Sequence, residues 1–302
     1  PICLYVDVYI FSPAYREDEF EEVLESCEHL VFNSFSQLEC FGERAAKAGK
    51  SVGIRVNPEC STQGEHAIYD PCAPGSRLGI LVSEFPETLP SYVEGLHFHT
   101  LCVQNADALE ITLKAVEEKF GKWMKQLKWV NFGGGHHITR ADYDRELLIS
   151  CVRRIQDTYN VQVYLEPGEA VALNAGHLIT TVEDIVHNDI AVLDVSAACH
   201  MPDVIEMPYR PPLFDSGEAK EKEYTYLLGG PTCLAGDVIG SYSFDQPLKV
   251  GDRLTFGDMA IYTTVKNNTF NGMRLPDIVW ERESGECEIV KSFGYEDFKC
   301  RL

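Results

Sequence analysis

Trp129-Val130-Asn131-Phe132-Gly133-Gly134-Gly135-His136-His137 is a short apolar run that stops on three glycines. Such a run, rich in aromatic and β-branched side chains and closed by Gly, reads as a strand feeding a turn. Behind it, 141–158 has helical periodicity and an acidic first turn that suits the helix dipole, and 162–166 returns to strand character. The same alternation extends toward the N-terminus. Strands are predicted at 6–11, 30–33, 51–56 and 95–100, with helices near 17–28, 36–48 and 105–126. Strands separated by helices call for a parallel sheet, so residues 1–175 are read as part of a (β/α)8-type barrel that carries the binding site. The stretch 58–75, rich in Pro, Gly, Ser and Thr, reads as a long loop of the kind that is functional or mobile.

After about residue 175 the segments become short, β-rich and punctuated by turns such as Gly229-Gly230-Pro231 and Lys249-Val250-Gly251-Asp252. Strands are predicted at 177–186, 190–195, 224–228, 253–256 and 261–265. Residues 176–302 are therefore expected to form a mainly antiparallel β-domain that completes the site and a dimer interface. Six barrel strands are visible where a closed barrel has eight, and Pro1 enters a strand almost at once. The expectation is that the first two β/α units, roughly 70 residues at ~35 per unit, are missing from the sequence.

With 47 acidic against 26 basic residues the 302-residue chain carries a net charge of −21. Such a surface repels phosphate backbones and anionic headgroups, which excludes nucleic acid or membrane as the main partner and suits cationic ligands. The simplest role of that charge is solubility. No apolar run approaches the ~18 residues of a membrane span. The 11 cysteines are scattered, odd in number and without a Cys-x-x-Cys pair, a pattern of reduced thiols that points to the cytoplasm and to no structural metal.

Barrel function gathers where strands end. Gly133, Gly134 and Gly135 let backbone N–H groups converge on an anion, although glycine-rich turns are common for other reasons. Glu166-Pro167-Gly168-Glu169 places a carboxylate on a fixed turn, suited to a protonated ring nitrogen or, more blandly, to solvent. His97 and His99 fall on one face of their strand and could hold a metal, stack on a flat ring or fill the core. Further along, Gly229–Asp237 carries Cys233 on a tight loop, a usable proton donor, ahead of Gly257-Asp258-Met259-Ala260-Ile261-Tyr262 and Phe270-Asn271-Gly272.

The order of these segments resembles the ornithine and diaminopimelate decarboxylase group of pyridoxal-phosphate enzymes, which have the alanine-racemase-like fold. At Glu166–Ala170, at 198–211 and at Cys233–Asp237 the likeness narrows to the carboxynorspermidine/carboxyspermidine decarboxylases of polyamine synthesis. That resemblance implies decarboxylation of a cationic amino acid with pyridoxal 5'-phosphate as cofactor, in a homodimer with shared active sites. His99 would stack on the cofactor ring, Gly133, Gly134, Gly135 and Tyr262 would hold its phosphate, and Glu166 would bind its pyridine nitrogen. Cys233, with His99, would serve catalysis. Glu206, Asp237, His200 and Asp203 would meet the substrate amines.

Two departures accompany the likeness. The family holds its cofactor through a lysine closing the first barrel strand, and none of the 13 lysines closes a strand here. That lysine is expected in the two missing units, and without it turnover should collapse. Val103 and Ile261 are also apolar where polar residues are expected. Three other readings remain open: a truncated or catalytically dead relative that binds a decarboxylase, an ornithine- or diaminopimelate-type enzyme, and a metal-dependent hydrolase using His-x-His. The last would need further strand-end histidines, for which His136 and His137 are the only candidates, and an aspartate closing the last barrel strand. It leaves the Glu-Pro-Gly and Gly-Pro-Thr-Cys segments unexplained.

Overall fold

The structure, a computed structural model, describes residues 7–64 and 67–302. The chain falls into two compact units that divide between Val171 and Ala172. In the first, the order is β1 (Tyr9–Phe11), α1 (Phe20–Glu25), β2 (His29–Phe32), α2 (Phe35–Lys47), β3 (Ser51–Arg55), β4 (Val93–His97), α3 (Ala106–Met124), β5 (Trp129–Asn131), α4 (Arg145–Tyr159), β6 (Gln162–Tyr164) and α5 (Gly168–Ala172). The strands form one sheet in sequence order, β1-β2-β3-β4-β5-β6, and every neighbouring pair is parallel. This parallel half-barrel is the expected fold class. Val6, placed in the first predicted strand, lies outside the described residues. β4 stops at His97, three residues sooner than expected, so His99 sits on the loop beyond the sheet.

Alternation along the strands gives the sheet two different faces. Leu30, Phe32, Val52, Ile54, Leu96 and Val130 are buried in one cluster with Leu38 and Phe41 of α2 and Leu109, Leu113 and Phe120 of α3. Burial of such side chains contributes on the order of 1.5–3 kcal/mol each, which is what fixes the helices to that face. On the other face, Gly53, Gly95 and Trp129 lie side by side in the register of β3, β4 and β5. The Trp129 indole spreads over both glycines: a Cβ on Gly53 would stand 2.3 Å from its ring and one on Gly95 1.9 Å. Trp129 Nε1 donates to Ser51 Oγ at 2.8 Å, and Ser51 Oγ donates to Glu94 at 2.7 Å, so the indole is both wedged and tethered. Two residues further along, the next row on this face is Arg55, His97, Asn131 and Tyr164.

The second unit holds β7 (Leu178–Val186), β8 (Ile190–Leu193), α6 (Ala197–His200), α7 (Asp203–Glu206), β9 (Tyr224–Gly229), β10 (Val238–Phe244), β11 (Arg253–Phe256), α8 (Tyr262–Val265), β12 (Ile278–Glu281), β13 (Cys287–Lys291) and α9 (Tyr295–Lys299). Its main sheet runs β10-β9-β8-β7-β11 and is antiparallel except for the β8–β9 pair. Ala191, Leu193, Leu228, Tyr242 and Phe256 form its core. The predicted strand at 261–265 is instead a helical turn. The chain reverses at Asp258, in the left-handed region at φ +54, and Lys266 N then closes onto Tyr262 O at 2.7 Å. No described helix is long and apolar enough to cross a membrane.

Gly95→Ala should force the indole off the sheet and cost roughly 1–3 kcal/mol, visible as a lower urea midpoint with altered tryptophan fluorescence. A loss below ~0.5 kcal/mol, the range of neutral surface changes, would mean that Trp129 does not need the glycine.

Candidate functional site

At the C-terminal edge of the first unit's sheet, Glu166 lies two residues beyond β6 and is turned toward the neighbouring strands. Its Oε1 accepts from Asn131 Nδ2 at 2.8 Å. His97 Nε2 stands 3.6 Å from Oε1 and His99 Nδ1 3.8 Å from Oε2. His97 is 1% exposed, and neither of its ring nitrogens has a hydrogen-bond partner among the described residues. The two imidazoles are perpendicular, with centroids 6.5 Å apart. Arg55 is buried beside them, its guanidinium 4.5 Å over the Phe11 ring and donating to His99 O at 3.2 Å.

The charges sort themselves accordingly. Burial alone would raise the Glu166 carboxyl, but His97, His99 and Asn131 outweigh it and hold the group at about 2. Burial, with Arg55 and His97, brings His99 down to about 4. Burial also lowers His97 and takes His136 to about 4. Near neutral pH the edge is thus a single carboxylate among uncharged imidazoles, with one buried guanidinium nearby.

The glycines follow from how closely two loops approach. Gly133 and Gly135 have φ of +71° and +81°, and a Cβ on Gly135 would stand 2.0 Å from Leu101 O. On Gly134 it would stand 2.7 Å from Glu166 O and 3.0 Å from His99 Cε1. Asn131 Oδ1 accepts from Gly133 N at 2.8 Å, Glu166 N donates to Gly133 O at 2.9 Å, and no acceptor among the described residues takes the N–H of Gly134 or Gly135. His136, 1% exposed, lies by the Phe132 and Gly133 carbonyls without reaching hydrogen-bond geometry. The structure therefore brings His99, Gly133–Gly135 and Glu166 together. It adds Arg55 and Asn131, which close strands as the strand-end rule requires, and His136, a candidate only as a metal ligand in the hydrolase reading.

No lysine of this unit shares that edge. Lys114, Lys119 and Lys122 lie on α3, Lys125 is its C-cap, and Lys47 ends α2 with Lys50 just beyond. Lys128 precedes β5 and pairs with Glu94 at the opposite end of the sheet.

The remaining candidates belong to the second unit. Cys233 is an exposed free thiol, and Tyr262 opens α8 with 60% of its surface exposed. Asp203 and Glu206 project from α7 to Lys266 Nζ at 2.5 and 2.7 Å. Two expectations need correcting here. Asp237 is not a free carboxylate for a substrate amine: it is 4% exposed and accepts from Ser196 Oγ at 2.9 Å, Ala198 N at 3.2 Å and Thr232 Oγ1 at 2.6 Å. It pins the loop that presents Cys233. His200 is likewise committed, with Nδ1 accepting from Ser196 N at 3.1 Å and Nε2 against Arg274 O at 3.0 Å.

A family model described as "Pyridoxal-dependent decarboxylase, C-terminal sheet domain" matches residues 8–260. A carboxynorspermidine/carboxyspermidine decarboxylase of Campylobacter jejuni is 46% identical over 98% of this chain and 80% of its own length. A carboxyaminopropylagmatine decarboxylase of Synechocystis is 41% identical over 98% and 77%. The crystal structure of the Campylobacter jejuni carboxynorspermidine decarboxylase complexed with norspermidine superposes with a TM-score of 0.88 at 44% identity, over 99% of this chain and 82% of that one. The chain belongs to the pyridoxal-dependent decarboxylases, in the group of the carboxynorspermidine/carboxyspermidine enzymes. A diaminopimelate decarboxylase structure at 19% identity and TM-score 0.77 shares the fold. The cofactor of this family is pyridoxal 5'-phosphate, and the edge fits it: an ionised carboxylate stands ready for a ring nitrogen, and two N–H groups lack acceptors.

Between about pH 6.5 and about pH 4 the unfolded chain protonates His99 and His136 while the folded chain does not. The unfolded state then binds more protons, so stability is full above that window and falls as the pH is lowered through it. Urea midpoints should show this slope, and His136→Asn should flatten it; an unchanged slope would contradict the assignment. Val103, held at φ +55 on the adjoining loop, is a β-branched residue in a region it rarely adopts. Val103→Asn should raise stability by about 1 kcal/mol in the same denaturation experiment, and a loss would rule out strain there.

Proposed function

We propose that this chain takes part in polyamine synthesis as a pyridoxal-phosphate-dependent carboxy-lyase acting on carboxynorspermidine or carboxyspermidine to give norspermidine or spermidine. The observation that carries the reading is the Glu166 carboxylate, held ionised at a strand end beside His99 and the Gly133–Gly135 turn. When bound, the cofactor supplies an electron sink for the bond that loses carbon dioxide. Glu166 would accept a hydrogen bond from the ring nitrogen, and its charge would keep the proton there. Gly134 and Gly135, whose N–H groups have no acceptor among the described residues, would direct them at the phosphate. His99 would lie against the ring face, its place fixed by the tight packing of its loop on the glycines. Cys233, on the loop pinned by Asp237, delivers the proton that replaces the carboxylate. Asp203 and Glu206 supply negative charge for the substrate's amines, partly offset by Lys266.

A homodimer, in which the Cys233 loop serves the partner's site, follows from the same reading. Ten unpaired cysteines among the described residues support a reducing compartment, the cytoplasm.

The test is specificity for the triamine skeleton. Calorimetry on the cofactor-loaded protein should show norspermidine and spermidine binding at least ~10-fold, or about 1.4 kcal/mol, more tightly than putrescine or lysine. Carbon dioxide release should be measured side by side from carboxynorspermidine, carboxyaminopropylagmatine, ornithine and diaminopimelate. Tighter binding of the diamine, or preferred turnover of ornithine or diaminopimelate, would overturn the reading.

A further inference from the structure

Cofactor-free, the strand-end edge presents an unusual donor set. One ligating atom each from His97, His99 and Glu166 lies within 4.8 Å of the other two. His97 Nε2 stands 3.6 Å from Glu166 Oε1 and His99 Nδ1 3.8 Å from Oε2, so each imidazole faces its own carboxylate oxygen at close to the ~3.4 Å that separates neighbouring ligands around a tetrahedral ion with ~2.1 Å bonds. Small side-chain rotations would bring all three onto one ion. A second observation points to the same ligand. Buried polar atoms are normally hydrogen-bonded, yet both ring nitrogens of His97 lack a partner among the described residues at 1% exposure.

We propose that before the cofactor is loaded His97, His99 and Glu166 bind one divalent transition-metal ion of the zinc type, and that this ion and pyridoxal phosphate exclude one another. Two imidazoles and one carboxylate favour zinc, cobalt or nickel over magnesium or calcium, which take oxygen ligands. His99 and Glu166 remain partly exposed, which leaves coordination positions open to water. Arg55 sets a positive charge beside the trio, so the ion is held less tightly than in a structural zinc site. The exclusion arises because the ion and the cofactor ring both require Glu166 and His99. Excess zinc would then keep the chain cofactor-free, a reciprocal linkage between two ligands of one edge. Metal binding itself needs only the geometry; the exclusion rests on the cofactor reading above.

Cofactor-free full chain would be titrated with zinc by calorimetry and with cobalt by its visible absorption, with and without pyridoxal phosphate. The expected result is one ion per chain, an affinity at least ~10-fold weaker in His97→Ala and Glu166→Gln, and loss of binding once the cofactor is present. His99→Asn, at the more exposed end of the trio, covers the event that His97→Ala does not fold. Cys287→Ser and Cys300→Ser, which remove exposed thiols, should leave the titration unchanged. Absence of stoichiometric binding, or binding indifferent to His99 and Glu166, overturns the metal site. Metal that binds as described but is not displaced by pyridoxal phosphate overturns the exclusion and counts against the cofactor reading, while the metal site stands.

Discussion

An ionised carboxylate, half-buried just beyond the end of a parallel strand, is the constraint around which the first unit is arranged. Burying such a charge is costly unless hydrogen bonds and opposite charge compensate it. Here the compensation near neutral pH comes from the neighbouring strand ends, the Asn131 amide donating to one oxygen and the Arg55 guanidinium nearby. The His97 and His99 rings, within 4 Å, add opposite charge only when protonated. None of these makes a short ion pair with it. Glu166 therefore stays charged and is not saturated, the state needed to meet a protonated ring nitrogen.

That row exists because of a second one beneath it. Gly53, Gly95 and Trp129 trade volume across three strands, two absent side chains making room for one large indole. The exchange sets the register of β3, β4 and β5, and register places Arg55, His97 and Asn131 level with one another. The helices are packed on the opposite face through a large apolar cluster. Their burial supplies the rigidity that lets a loosely hydrogen-bonded carboxylate keep its place.

The parts legible in the sequence were those governed by local rules. Apolar runs closed by Gly or Pro marked the strands, and the strand-end rule found His99, Gly133–Gly135 and Glu166. Where the reading fell short, tertiary context decided. Arg55 carries no local signal of a site, because only the register sets it level with His97 and Asn131, beside Glu166. In 238–244 Gly240 and two serines interrupt the apolar pattern, and it is backbone pairing with β9 that holds the strand. At 261–265 β-branched composition suggested a strand, whereas the chain turns at Asp258 and closes a helical turn from Tyr262 O to Lys266 N. Asp237 and His200 carry the chemistry of binding residues but are spent on the capped turn at Ser196, and burial, which a sequence does not display, separates the two roles.

The claim that Glu166 is the anchor of a pyridine nitrogen is tested most directly by comparing pyridoxal phosphate affinity in the native chain and in Glu166→Gln, which keeps the shape and removes the charge. The account predicts at least ~10-fold weaker binding, the loss of one charge-assisted hydrogen bond, with the phosphate contacts still supporting residual affinity. Equal affinity in the two proteins would show that the carboxylate does not meet the ring, and the site would have to be rebuilt from the glycine turn alone.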